Sequence, residues 1–198
     1  MSNSDLYTVD ELVDEICKYK SYFGENGGVT ASGGEPLLQI DFIIQLFKKL
    51  KKLHIHTACD TSGITFDSSN PKNVAKHLEL LKVTDLFLLD IKHMNEEKHT
   101  KLTGKGNKDI LSFARFLSDQ GKPIWIRHVV IPGITLIEED LLELRKFIRE
   151  LNTVEHIELL PYHTMGTSKY QRLGIAYPLK DVLPPTKEQM EAVYQLFE

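Results

Sequence analysis

The chain has 198 residues, of which 41% are hydrophobic, and a formal net charge of -4. This length suits one domain with a sizeable core, and without a basic surplus neither nucleic acid nor an anionic membrane surface is an expected partner. No apolar run reaches the roughly 20 residues that cross a bilayer, and the first residues do not resemble a secretion signal, so we expect a cytoplasmic protein with reduced cysteines.

Strand and helix patterns alternate along the whole chain. Helix starts are predicted from capping residues and apolar periodicity, and they fall at Thr8, near Ile40, at Asn70, near Asn95, near Asn107, at Thr135 and at Thr186. Apolar runs predict strands at 29–32, 55–59, 86–91, 124–130 and 157–161. A looser segment, 163–185, precedes the last helix.

Five strands that alternate with helices predict an α/β fold with parallel pairing and right-handed crossovers. The pattern is compatible with a doubly wound sheet and with part of a (β/α) barrel. Both architectures place their chemistry on loops at the carboxyl ends of the strands, so those loops are where a site is expected.

The candidate residues lie at or near these strand ends: Gly33, Gly34, Glu35, Asp60, Thr61, Asp90, Lys92, Arg127 and His163. Asp90 and Lys92 alternate onto the side of Leu86 and Leu88. By the same count His163 shares a face with Ile157, Leu159 and Pro161. Charges on an apolar inner face are costly unless they are paired or used by a ligand, which favours a site.

Each of these residues also has a structural interpretation. The two glycines can form a simple tight turn, Asp90 and Lys92 a structural ion pair, and Arg127 and His163 ordinary hydrogen bonds. Their joint placement at successive strand ends favours function. The seven other histidines show no metal-ligand spacing and are assigned no site.

Five stretches carry a resemblance to a known family: GGVTASGGEPLLQ, HTACDTSG, VTDLFLLDIKHMNEEKH, IWIRHVVIPG and IELLPYHTMG. In this order and spacing they resemble the pyruvate formate-lyase activating enzymes, which are glycyl-radical-enzyme activases of the radical S-adenosylmethionine superfamily. The resemblance implies one domain over 1–198, a partial (β/α) barrel of the radical S-adenosylmethionine type that retains five of six parallel strands.

The resemblance also implies cofactors and partners. S-adenosylmethionine bound to a [4Fe-4S] cluster yields a 5'-deoxyadenosyl radical, which takes a hydrogen from a glycine of a glycyl radical enzyme, here pyruvate formate-lyase. A flavodoxin or ferredoxin-type protein would donate the electron.

Site residues follow from the same resemblance. The backbone of Gly33, Gly34 and Glu35 would bind the methionine amino group. Lys92, Arg127 and His163 would contact other polar parts of the cofactor. Asp60, Thr61 and Asp90 would surround a monovalent cation.

The chain departs from the family in its cysteines. The family holds its cluster with CxxxCxxC after the first strand, whereas this chain has only Cys17 and Cys59. We therefore expect a chain truncated at its N-terminus and inactive alone. The alternatives are a non-catalytic module that binds S-adenosylmethionine or a partner protein, and a Schiff-base aldolase that uses Lys92.

Overall fold

The computed structural model describes residues 6–25, 27–164 and 174–198. The strands are β1 (Gly28–Ala31), β2 (His56–Thr61), β3 (Leu86–Asp90), β4 (Ile124–Val130) and β5 (Val154–Pro161). The helices are α1 (Val9–Lys18), α2 (Ile40–Lys52), α3 (Pro71–Leu81), α4 (Glu96–Thr103), α5 (Lys108–Asp119), α6 (Glu138–Arg149) and α7 (Lys187–Phe197). Two short 3₁₀ helices, Lys20–Tyr22 and Pro36–Gln39, precede β1 and α2.

The five strands form one parallel sheet in the order β1-β2-β3-β4-β5. Chain order and spatial order are therefore the same, with no reversal of direction along the sheet. A doubly wound sheet reverses its order at a switch point and carries helices on both faces, whereas a (β/α) barrel does neither. The strand order favours the partial barrel over the doubly wound sheet, and the predicted α/β class is confirmed.

Side chains alternate between a helix-covered outer face and a more open inner face of the sheet. On β3 the outer residues Phe87 and Leu89 are fully buried, while Leu86 and Leu88 on the inner face are half-buried. On β4, Trp125 lies on the inner face and is 37% exposed. Because parallel strands pair in register, inner residues of neighbouring strands form continuous rows that end at the carboxyl edge.

The face predicted for β5 was wrong. Arg127 of β4 pairs with Glu158, and His128 pairs with Leu159. His128 is buried on the outer face, and Leu159 packs with Met190 of α7. Leu159 is therefore an outer residue, and the inner position of β5 belongs to Glu158. An apolar run with few polar residues shows that side chains alternate between two faces of the strand. It does not show which of the two faces the helices cover.

Most helix starts agree with their capping signals. Thr8 and Thr186 each form the reciprocal hydrogen bonds of a capping box, and Asn70 accepts from two backbone N–H groups at the start of α3. The cap predicted at Thr135 was wrong, since α6 begins after Ile137. The Thr135 hydroxyl instead donates to the carbonyl of Val129 at 2.6 Å, closing the turn that follows β4.

A polar cluster joins β2 and β3 at the amino ends of the strands. Asp85 accepts from Lys51 Nζ at 2.7 Å and from the backbone N–H of Thr57 at 2.9 Å. Burial raises the pKa of Asp85, but these two donors outweigh it, so the pKa lies below its ordinary value. Lys122 donates to the carbonyl of Thr84 at the same end. These contacts fix the register of the strands where they begin.

The segment predicted to be loose is described only in part, because residues 165–173 lie outside the described ranges. On either side of that gap, the hydroxyl groups of Tyr162 and Tyr177 lie 2.8 Å apart. None of the helices in the described ranges is both long and apolar enough to span a membrane.

Candidate functional site

The loop after β1 is open to a ligand at Gly33 and Gly34. Gly33 has a φ of +132°, a conformation that favours glycine, and a Cβ atom at either position would meet nothing within 4 Å. Within the described part of the chain, the backbone of these two glycines makes no turn or loop hydrogen bond. Polar backbone groups that face open space can bind a polar ligand.

The side chain of Glu35 holds this loop in place. Its carboxylate accepts from the Thr61 hydroxyl at 2.5 Å, from the Ser62 N–H at 3.0 Å and from the Ser62 hydroxyl at 2.6 Å. It also accepts from the N–H of Leu37 at 3.1 Å, which caps the 3₁₀ helix that begins with Pro36. Glu35 therefore anchors the loop to the end of β2, a side-chain role that its position in the sequence did not indicate.

Arg127 lies at the centre of an ion network on the inner face. Its Nη1 donates to Asp60 Oδ2 at 2.9 Å, and its Nε donates to Glu158 Oε2 at 2.8 Å. Burial lowers the pKa of Arg127, but Asp60 and Glu158 outweigh it and raise the pKa above its ordinary value. The guanidinium is a permanent cation that bridges three strands of the sheet.

Asp90 and Lys92 form a second ion pair beside it. Lys92 Nζ lies 3.0 Å from Asp90 Oδ2, and Asp90 is the register partner of Arg127. Asp60, Asp90 and Glu158 together carry three negative charges against the two positive charges of Lys92 and Arg127. A net negative charge on an inner face suits a ligand that carries a positive centre.

Thr61 and Asp60 occupy opposite faces of β2. Thr61 is buried, and its hydroxyl binds Glu35 and accepts from the N–H of Gly63 at 2.9 Å. Its side chain therefore does not join Asp60 and Asp90. Among the described residues, no three His, Cys, Asp or Glu side chains are arranged to hold a metal ion.

His163 lies just beyond β5 and is exposed. It makes no hydrogen bond or ion pair with any residue in the described ranges, so its imidazole is accessible to a ligand. The structure thus brings Asp60, Asp90, Lys92 and Arg127 together and leaves His163 at the rim. Glu158 belongs to the network and was missed, although it is the one charged residue within the apolar run IELLP.

Four other histidines are buried and serve the fold. His77, His93, His99 and His128 each bond through Nδ1 to a backbone group, at 2.7 to 3.1 Å. The Nε2 atom of His93 lies 3.2 Å from Asp140 of α6. This contact joins the loop after β3 to the outer helical layer.

The two cysteines do not form a cluster site. Cys17 is exposed on α1, whereas Cys59 is fully buried on the outer face of β2. Burial, followed by the nearby charge of Glu35, raises the pKa of the Cys59 thiol to about 12. An iron-sulfur cluster needs thiolate ligands that reach one point, and this pair cannot supply them.

Comparisons with known proteins identify the family. The profile of the radical SAM superfamily matches residues 1–148. The chain is 53% identical to the pyruvate formate-lyase-activating enzyme of Staphylococcus epidermidis, covering 95% of this chain and 75% of that protein. It is 47% identical to the enzyme of the same name from Streptococcus mutans, covering 96% and 72%. The chain belongs to the radical SAM superfamily, among its pyruvate formate-lyase-activating enzymes.

Solved structures agree with this assignment. A domain of the pyruvate-formate lyase-activating enzyme from Bacteroides vulgatus superposes with a TM-score of 0.70 at 28% identity, covering 87% of this chain and 93% of that domain. Streptococcus suis SuiB, whose structure contains S-adenosylmethionine, has a TM-score of 0.67 at 19% identity and covers 97% of this chain and 39% of its own. At that identity the likeness shows the fold alone.

The superfamily uses S-adenosylmethionine and a [4Fe-4S] cluster, and the residues present fit the first of these. The open loop at Gly33 and the net negative network around Arg127 match the polar groups and the sulfonium of S-adenosylmethionine. Cys17 and Cys59 do not fit the cluster.

Proposed function

We propose that this radical SAM activase acts on pyruvate formate-lyase and that the inner rim described above binds its S-adenosylmethionine. The observation that carries the proposal is the convergence of the uncovered Gly33–Gly34 loop and the Asp60–Arg127–Glu158 network at the carboxyl ends of the strands. The chemistry that the cofactor supplies in this family is a 5'-deoxyadenosyl radical, which removes a hydrogen atom from a glycine of the partner.

The residues of this chain bind and orient the cofactor. The backbone of Gly33, Gly34 and Glu35 binds the methionine amino group, and the Glu35 side chain keeps that backbone in place through Thr61 and Ser62. Lys92, Arg127 and His163 supply donors to the other polar groups of the cofactor.

The cation site assigned to Asp60, Thr61 and Asp90 stays part of the proposal. Arg127 uses Oδ2 of Asp60, and Lys92 uses Oδ2 of Asp90, so Oδ1 of each carboxylate remains available to a monovalent cation. Because the Thr61 hydroxyl binds Glu35, Thr61 contributes its carbonyl oxygen rather than its side chain. This site would sit beside the methionine carboxylate and balance its charge.

The aldolase alternative finds no support in the geometry of Lys92. A Schiff-base lysine has to be an uncharged nucleophile, which a cationic neighbour or an apolar pocket favours. The Lys92 ammonium instead lies 3.0 Å from the Asp90 carboxylate and is one-third exposed. A lysine held beside a carboxylate in this way suits a cofactor-binding role.

Cleavage of S-adenosylmethionine to a 5'-deoxyadenosyl radical consumes one electron, which amino-acid side chains do not supply, so the electron has to come from another molecule. We propose a flavodoxin or a ferredoxin-type donor.

The experiment is activation of pyruvate formate-lyase by a longer protein in which a family cluster segment precedes this chain. With a chemical reductant and S-adenosylmethionine, the unsubstituted protein should produce a glycyl radical that electron paramagnetic resonance detects. Lys92→Met should abolish most of the signal, whereas Lys82→Met, at an exposed lysine, should leave it unchanged. A cluster-loaded protein that cleaves S-adenosylmethionine but gives no radical on pyruvate formate-lyase would refute the partner assignment.

A further inference from the structure

Glu158 lies on the inner face of β5 and forms an ion pair with Arg127. The two residues are register partners on adjacent parallel strands, and Glu158 Oε2 accepts from Arg127 Nε at 2.8 Å. The Glu158 side chain is 41% exposed, and that of Arg127 is 24% exposed. Because both side chains are partly exposed, the role of the Glu158 carboxylate is to bind the Arg127 guanidinium and not to pack the core.

The guanidinium is held at two different edges. Glu158 takes Nε, and Asp60 takes Nη1 from the other side. A guanidinium has five N–H donors in one plane, so three remain free, two of them on Nη2. With two edges fixed by carboxylates on β2 and β5, the plane cannot rotate, and the Nη2 edge points in one direction.

We infer that Glu158 is a positioning residue, which fixes the Arg127 guanidinium so that its free N–H groups meet the hydrogen-bond acceptors of S-adenosylmethionine. The inference rests on the proposed function. With Asp60 as its one partner, the guanidinium could still rotate about its side-chain bonds. The free energy of cofactor binding would then include the entropy lost when the guanidinium becomes ordered.

A purely structural role for Glu158 has a different signature. A cross-strand ion pair with this exposure contributes to stability, and its loss would lower the melting temperature without changing ligand affinity per folded molecule. If Glu158 positions Arg127, the effect of Glu158 on the affinity for S-adenosylmethionine depends on Arg127. This effect is therefore absent when Arg127 is replaced. The two roles are separable by measurement.

The first arm of the test is nuclear magnetic resonance of the 198-residue chain. The Arg127 Nε–H signal, assigned by its loss in Arg127→Lys, should exchange slowly with solvent in the unsubstituted chain and quickly in Glu158→Gln. The matched control is Glu155→Gln, an exposed carboxylate on the same strand outside the Arg127 network. An Nε–H signal that Glu158→Gln leaves unchanged would overturn the inference.

The second arm is a titration of the same proteins with S-adenosylmethionine. Glu158→Gln should weaken binding about tenfold, the effect expected for a lost hydrogen bond to a charged group, and Glu155→Gln should not. In the Arg127→Lys background, Glu158→Gln should cause no further loss. Unchanged affinity in Glu158→Gln, or losses that add, would overturn the inference alone. No binding by the unsubstituted chain would overturn it together with the proposed cofactor site.

Discussion

Arg127 reaches across an entire strand to Asp60: the 2.9 Å contact from Nη1 to Oδ2 joins β4 to β2 over β3. The side chains are 24% and 26% exposed, so the pair is neither a surface contact nor a fully buried one. Because this contact spans three strands near their carboxyl ends, it holds the strand ends in place and also fixes the positions of the charges that a ligand meets there.

Asp60→Asn should lower cofactor affinity more than it lowers stability. We expect the free energy of unfolding to fall by about 1–2 kcal/mol, between the values for surface and buried ion pairs, and affinity for S-adenosylmethionine to fall about tenfold. Urea denaturation and calorimetric titration measure the two effects. Glu79→Gln breaks a 3.9 Å pair with Lys48 on the surface and is the control, with no change expected in either. A stability loss without an affinity loss would show that the contact is structural.

Asp90→Ala and His163→Ala should both weaken S-adenosylmethionine binding in a protein that carries the family cluster segment. Within the described residues, Asp90 forms an ion pair with the neighbouring Lys92 alone and His163 has no partner, so neither substitution should lower the melting temperature by more than a few degrees. Melting and binding have to be measured on the same samples. Unfolding with unchanged affinity per folded molecule would favour the structural interpretation.

Glu35→Gln should destabilise the chain strongly. The carboxylate accepts hydrogen bonds from Thr61, Ser62 and Leu37, and the amide that replaces it has one acceptor oxygen fewer. We expect a loss of about 2–3 kcal/mol in the free energy of unfolding, because at least one part-buried donor loses its acceptor. Urea denaturation tests this, with Glu191→Gln on the exposed face of α7 as the control. Equal stability of the two variants would contradict the role given to Glu35.

The two thiols should differ in reactivity, and neither should support a cluster. A disulfide reagent at pH 8 should modify Cys17 at once and Cys59 only after denaturation, because Cys59 is buried and burial raises the pKa of its thiol to about 12.

Anaerobic reconstitution of the 198-residue chain with iron and sulfide should accordingly give no [4Fe-4S] absorption or paramagnetic signal. Addition of a family strand and cysteine loop at the N-terminus should restore both signals. A reducible cubane cluster in the unsubstituted chain would refute the claim that its ligands are missing.

Stability should decrease with acid between pH 6.5 and 4 partly because of His128. Burial lowers the pKa of His128 from 6.5 to about 4 in the folded chain. Between these values the unfolded chain binds the proton and the folded chain does not, so stability rises with pH and falls as acid is added. The full shift corresponds to about 3 kcal/mol.

His128→Asn keeps a donor for the carbonyl of Ile91 and should flatten this pH dependence. His156→Asn, at an exposed position, is the control and should leave the slope unchanged. Urea denaturation at several pH values measures the slope. Buried His77 and His93, whose pKa values burial also lowers, should retain part of the dependence.

The alternation of strands and helices and most of the capping residues could be predicted from the sequence, because both depend on local patterns. Asn70 with Pro71 gave the start of α3, and Thr186 with Gln189 gave that of α7. The prediction that Thr135 caps α6 was wrong because the Thr135 hydroxyl makes its hydrogen bonds within the turn after β4. The spacing between Thr135 and Glu138 does not show this.

The charged residues Asp60, Asp90 and Arg127 could be singled out as candidates from the sequence because each interrupts an apolar strand, and the structure brings the three together on one face. Glu158 could not be placed, because its role depends on the register between β4 and β5 and on which face α7 covers. The Glu35 carboxylate was missed for a similar reason, since its partners Thr61 and Ser62 are 26 and 27 residues away in the chain.

The cluster of Asp85, Thr57 and Lys51 lies at the opposite end of the sheet from the ion network of Arg127. In folds of this kind, residues at the amino ends of the strands maintain the barrel, while the loops at the other end vary. Anchoring β2 and β3 at their beginnings leaves the loops at their ends free to change in length and composition. One barrel can thus be adapted to new polypeptide partners during evolution, since substitutions that alter recognition do not loosen the register of the strands beneath.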